Sequence, residues 1–178
     1  MKNVLRLPAA IAAAAALLHL AGCATPAASQ AMTVKPGAVA PASPRLKSAV
    51  ALGDVRGGKE TNPLWTSQVD AAGFRKALND SLAIGGYLAP DGSASKYRVN
   101  AELLSLDQPL IGLTLDVKSR VRYEVTGSGA PRVFDITATG SASPSDAFMA
   151  FERLRIANER SVLENIKEFM QRLSALAD

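Results

Sequence analysis

Two residue types that often carry chemistry are almost missing from this sequence. Among its 178 residues there is one cysteine, Cys23, and one histidine, His19. A lone cysteine closes no intrachain disulfide, and no neighbouring histidine or second cysteine joins it in a metal site. His19 belongs to residues 1–22, which have the layout of a secretory leader: Lys2 and Arg6 precede or flank an apolar run from Leu7 to Leu20, and small residues follow. That run falls short of the roughly 20 apolar residues a spanning helix requires. With the leader removed no histidine remains, which counts against histidine general-base catalysis and histidine metal ligation. Excess charge is lacking too. Loss of Lys2 and Arg6 reduces the 20 basic residues to 18 against 16 acidic, a net charge of +2. So small an excess offers no electrostatic footprint for nucleic acid. No internal repeat is visible.

What the sequence does contain starts at Leu20-Ala21-Gly22-Cys23. This ending resembles the lipobox of bacterial lipoproteins, where the cysteine sulfur receives a diacylglyceryl group and becomes the mature N-terminus. The resemblance implies that Leu20, Ala21 and Gly22 direct processing and that Cys23 carries the lipid, a membrane contact that two or more acyl chains make stable. Ala24 in place of an aspartate implies, by the same resemblance, release to the periplasmic face of the outer membrane. Residues 24–44 carry four prolines among alanines and serines without periodicity. Together with the lipidated Cys23 they read as a disordered tether. It would reach about 25 Å as a flexible coil and about 65 Å as polyproline II.

Residues 45–178 read as one domain. Leu46, Val50 and Leu52 alternate in a first strand. Ser67-Gln68-Val69-Asp70 has capping-box spacing, and Phe74, Ala77, Leu78, Ser81 and Leu82 then share one helix face that Gly85-Gly86 should end. From Lys96 the period is two: Tyr97, Val99, Ala101 and Leu103 oppose Arg98, Asn100 and Glu102. The next strand alternates from Ile111 through Leu113, Leu115, Val117, Val121 and Tyr123 to Val125, broken only by Ser119, with charged residues on its wet side. Phe134, Ile136, Ala138 and Gly140 mark a fourth strand. Ser143-Pro144-Ser145-Asp146 suggests a helix start. The stripe Ala147, Phe151, Leu154, Asn158, Val162, Ile166, Phe169, Leu173 and Leu176 keeps the 3.6 period of a long C-terminal helix. Asn158 interrupts it as a bend, a polar contact or a tolerated packing position.

The expected fold is α+β, a four-stranded, mainly antiparallel sheet with two amphipathic helices on one face, ordered β-α-β-β-β-α. The motifs TNPLWTSQV, Tyr97-x-Val99-x-Ala101-x-Leu103, Asp107-x-Pro109 with Gly112, Val121-x-Tyr123-x-Val125 and Arg153-x-Arg155-x-Ala157-x-Glu159 resemble small YajG-like Gram-negative envelope lipoproteins. The layout also resembles LptE and the N-terminal domain of TolB. That resemblance implies an adaptor in envelope assembly, with an envelope protein as partner and neither cofactor nor metal. Ser93-Ala94-Ser95-Lys96 fits S-x-x-K, but neither S-D-N nor K-T-G accompanies it, and an acyltransferase of the β-helix type would need hexapeptide repeats. A non-enzymatic adaptor is therefore expected, the alternative being a carrier or sensor of lipid, glycolipid or peptidoglycan fragments. Leu64, Trp65 and Leu110 are the candidate partner-binding residues, because apolar loop residues and tryptophan are favoured at contacts. For Trp65, a lone tryptophan in a small domain, the favoured reading is that it folds inward as a lid over Phe74.

Overall fold

The computed structural model describes residues 24–90, 94–109, 111–127 and 129–176. Leu20, Ala21, Gly22, Cys23, Ser93 and Leu110 lie outside the described residues. In chain order the elements are a one-turn helix α1 (Ser29–Met32), strand β1 (Val50–Gly57) and helix α2 (Ala71–Ile84). Strands β2 (Tyr97–Asp107), β3 (Leu115–Gly127) and β4 (Gly129–Ala142) follow, and helix α3 (Ala150–Ala175) closes the chain. The sheet order is β1-β2-β3-β4. β1 and β2 run parallel, which demands a crossover, and α2 supplies it. The other two pairings are antiparallel. The fold is thus α+β, with the sheet and the two long helices read from the sequence and α1 not.

Alternation decides the layers. Along β3 the residues from Leu115 to Val125 on one side are buried and their neighbours face water. α2 packs on β1, and α3 on β3 and β4. Phe169 of α3 stacks on Tyr123 of β3 with ring centroids 4.0 Å apart and planes 6° apart. On the wet face Arg56 pairs with Glu102 at 3.0 Å, and Arg122 grips Asp135 through two bonds of 2.8 and 3.1 Å. α3 lies so close to β4 that a Cβ on Gly140 would stand 2.1 Å from the Ser161 nitrogen and 2.4 Å from the Ala157 oxygen.

Polar side chains under α3 set its register. The Ser119 N–H donates to Ser161 Oγ at 2.8 Å, and Ser161 Oγ donates to the Ala138 carbonyl at 3.0 Å. Asn165 Nδ2 donates to the carbonyls of Ile136 and Ser119, and the Tyr123 hydroxyl donates to Asn165 Oδ1 at 3.0 Å. The apparent break at Ser119 is therefore a matched hydrogen-bonding site. Burial pushes the Tyr123 phenol well above its ordinary value, with the Glu168 charge adding to it.

Four boundaries differ from the sequence reading. β1 begins at Val50 because Ser48, at φ 52°, turns the chain just before it, leaving Leu46 buried in the turn. β3 begins at Leu115, the last position with a partner on β4, so Ile111 and Leu113 run beyond the sheet and are exposed. α2 is capped by Asp70, whose Oδ1 accepts from the Gly73 N–H at 2.6 Å, and the Ser67 side chain plays no part in it. α3 starts at Ala150, since Ser143 to Asp146 close on themselves as a turn: the Ser143 N–H donates to Asp146 Oδ2 at 2.9 Å. Phe151 consequently stands half-buried in the first turn of α3, outside the main core.

The largest correction concerns residues 24–44. They are not a loose tether but a strap laid against the domain. The N–H of Ala24 donates to Pro63 O, that of Ala27 to Gln68 O, and that of Ala28 to Glu159 Oε1 at 2.8 Å. The Val34 N–H donates to Ser81 Oγ at 3.1 Å, and the Ala42 N–H to Gly85 O at 2.8 Å. α1 packs on both α2 and α3, and Met32 and Val34 join the main core as fully buried residues. Two well-placed apolar side chains and a series of backbone bonds offset the ordering of a segment whose composition reads as disordered.

Candidate functional site

Six of the nine large hydrophobic side chains exposed among the described residues gather at one end of the domain. They come from three segments: the loop before α2, the lead into β3, and the turn before α3. Leu64 and Trp65 stand on the first, Ile111 and Leu113 on the second, Phe148 and Met149 on the third. Trp65 is 73% exposed, Ile111 92% and Phe148 90%. Between the segments runs an open groove of about 690 Å³, lined by Trp65, Thr66, Pro109, Ile111, Gly112, Leu115, Ala150, Phe151 and Leu154. Trp65 and Ile111 line this groove, Leu64, Leu113 and Met149 each neighbour a lining residue in the chain, and Phe148 lies one position further out. Trp65 and Phe148 alone carry on the order of 300 Å² of apolar surface. That already equals the largest patch of many monomers, before four aliphatic side chains are added.

Polar side chains fasten the first and third of these segments. The carbonyl of Ser67 accepts from Gln108 Nε2 at 2.8 Å and from Asn158 Nδ2 at 3.0 Å, while Gln108 Nε2 also reaches Asn158 Oδ1 at 2.8 Å. Gln68 Nε2 donates to Gln108 Oε1 at 3.0 Å, and the Gln68 N–H donates to Thr61 Oγ1 at 2.9 Å. One cluster thus ties the tryptophan loop, the end of β2 and α3 together. The third segment has its own fastening. Arg153 Nη1 donates to the carbonyls of Phe148 and Ala147 at 2.6 and 3.1 Å, and Arg160 Nη2 donates to Asp146 Oδ1 at 2.6 Å. The hydrogen bond from Arg160, with the Ser143 N–H, holds the Asp146 carboxyl far below the usual carboxylate range.

Leu64 and Trp65, the described members of the expected partner-binding set, are both exposed. Trp65 is no lid: it projects into water, while Phe74 is buried in a cluster that includes Met32. Asn158 is a polar contact, neither a bend nor a tolerated gap. Phe148 and Met149 escaped the sequence reading because it assigned them to the helix; an adjacent pair of large apolar residues just ahead of the stripe was the available signal. Lys96 leads into β2 with its N–H on the Ala49 carbonyl. Among the described residues no group of three or more His, Cys, Asp or Glu side chains comes together, and no helix is long and apolar enough to cross a membrane.

No protein-family model and no curated protein matches the chain. Solved structures do resemble it. A candidate lipoprotein of Caulobacter crescentus aligns over 74% of this chain and 92% of its own, at 14% identity and a TM-score of 0.49. A Xanthomonas campestris protein of the family DUF330 aligns over 78% of this chain and 92% of its own, with 12% identity and a TM-score of 0.47. A hypothetical protein of Chlamydia trachomatis covers 72% and 94%, at 14% identity and a TM-score of 0.44. None of these comparisons confirms the YajG-like resemblance, which rests on sequence motifs, or that to LptE and TolB, which rests on the element order.

Proposed function

We propose that this protein is a lipid-anchored, non-enzymatic adaptor of the bacterial envelope, held at the periplasmic face of the outer membrane through Cys23, where it positions or regulates a larger assembly. The observation that supports an envelope contact is the apolar end: large hydrophobic side chains stand in solvent beside Ala24, the residue next to the anchor position. Exposing them to water is unfavourable, so a surface of this kind serves a contact. A catalyst needs a nucleophile or a titratable pair where its substrate would lie. The groove lining offers the Thr66 hydroxyl alone. A carrier of lipid or glycan fragments needs walls that enclose its ligand, and here Trp65 and Ile111 stand open to solvent.

The test is a photo-crosslinking residue introduced in living cells at successive exposed positions over the whole domain. An adaptor gives a discrete protein adduct, identified by mass spectrometry, at one contiguous set of positions. Lipid or glycan adducts with no protein adduct anywhere would favour the carrier. The anchor is checked separately with Cys23→Ser, which should leave an unprocessed precursor that takes up no labelled palmitate; normal processing of that variant would defeat the lipoprotein reading.

A further inference from the structure

We propose that the apolar end is a bilayer-contact surface, with Leu64, Trp65, Ile111, Leu113, Phe148 and Met149 entering the leaflet that holds the Cys23 anchor. The inference rests on the lipid-anchored reading and deepens it. The chain itself leads there. Ala24, one peptide unit after Cys23, donates its N–H to the Pro63 carbonyl at 3.1 Å, and Pro63 immediately precedes Leu64 and Trp65. Because the strap is packed along the domain, an anchor at Cys23 brings this end against the lipid instead of letting the domain swing free.

Charge points the same way. Thr61 to Val69, Gln108 to Leu115 and Ala147 to Phe151 contain no charged residue, although the chain as a whole is 20% charged. A protein interface surrounds its apolar centre with a polar rim. Each segment is bounded by charged residues, Glu60 and Asp70, Asp107 and Asp116, Asp146 and Glu152, so its uncharged middle can enter hydrocarbon while the charges at its ends stay at head-group level. Shape agrees with charge: Ile111 and Phe148 protrude almost completely, as side chains entering a fluid leaflet can. Tryptophan, apolar in body with one polar N–H, prefers that boundary. A hydrophobic face that supplements an acyl anchor is also how peripheral proteins hold a fixed orientation.

Trp65 is the only tryptophan and Cys23 the only cysteine, so the chain carries its own reporter and its own coupling point. The full chain, purified from bacterial membranes, is reconstituted into phosphatidylethanolamine/phosphatidylglycerol vesicles with and without brominated acyl chains. Flotation with the vesicles reads the anchor, and quenching of Trp65 emission reads the contact. Blue-shifted emission that bromine quenches is the expected result. Water-like emission from floating protein would overturn the proposal, and so would shielded emission that bromine leaves unquenched, because a second copy or another protein then covers the surface. If the chain fails to float, the lipid-anchored reading fails. The contact is then decided on the chain beginning at Cys23, which keeps every residue of the described fold, coupled through its thiol to a maleimide head-group lipid. In either format Ile111→Asp with Phe148→Asp should reduce quenching by roughly half or more while leaving attachment intact. Unchanged quenching in that double variant would also overturn the proposal.

Discussion

Asn158 and Asn165 lie two turns apart on the buried face of α3, are fully buried, and use the same amide chemistry. Their partners differ. Asn165 bonds to carbonyls of β3 and β4 and to the Tyr123 hydroxyl, so it locks the helix to the sheet. Asn158 bonds to the Ser67 carbonyl and the Gln108 amide, so it locks the helix to loops whose hydrophobic side chains remain in water. The contrast teaches that a buried polar residue serves whatever element it reaches: a sheet partner makes it part of stability, and a loop partner makes it part of a surface.

The largest effect should come from Asn165→Ala, which leaves the Tyr123 hydroxyl and two strand carbonyls without their donor or acceptor. Urea unfolding should show a loss of about 3 kcal/mol, with Trp65 emission of the folded protein unchanged. Met32→Ala is next, at about 2 to 3 kcal/mol if the strap is integral to the core; a cost near zero would restore the loose tether. Asn158→Ala should cost about 1 to 2 kcal/mol and, unlike Asn165→Ala, should lower the fluorescence anisotropy of Trp65 as its loop loosens. Equal anisotropy in the two variants would erase the distinction between the clusters. Trp65→Ala should move stability by no more than about 0.5 kcal/mol, and a drop in melting temperature like that of Met32→Ala would mean that the ring packs inward.

The smallest effect concerns pH. The Asp146 carboxyl is depressed in the folded protein by its bond from Arg160, so its stabilising contribution is fully present above the ordinary value of 3.8 and is lost only as pH falls through the lower folded value. The Phe148 turn should therefore keep its hydrogen-exchange protection down to about pH 4. Loosening near neutral pH would show that Asp146 does not fasten it.

The strands and the body of α3 were legible because each repeats its period over many residues, and alternation as long as that of β3 suits a half-buried strand and little else. The strap was not legible: Met32 and Val34 are isolated apolar residues in a proline- and alanine-rich stretch, and their burial depends on two helices more than thirty residues away. The start of α3 was misread because Ser-Pro-Ser-Asp satisfies a turn as well as a helix cap, and only the extent of β4 decides between them. Of the exposed apolar end, Leu64 and Trp65 could be found from residue type in a loop. Ile111 and Leu113 looked like strand residues because alternation says nothing of where a partner strand ends. The fastening by Gln108 and Asn158 joins residues far apart in sequence, and no local pattern announces it.

The strap also has a mechanical consequence. A pull between an anchored N-terminus and the core loads the strap before any strand, because every bond from Ala24 to Ala42 lies between the point of force and the sheet. These bonds are spaced out along the chain, at Ala24, Ala27, Ala28, Val34 and Ala42, so they give way one after another, as a seam unpicks, and not all at once. Fully drawn out, residues 24–49 would span at most about 90 Å while the sheet and α3 stay folded.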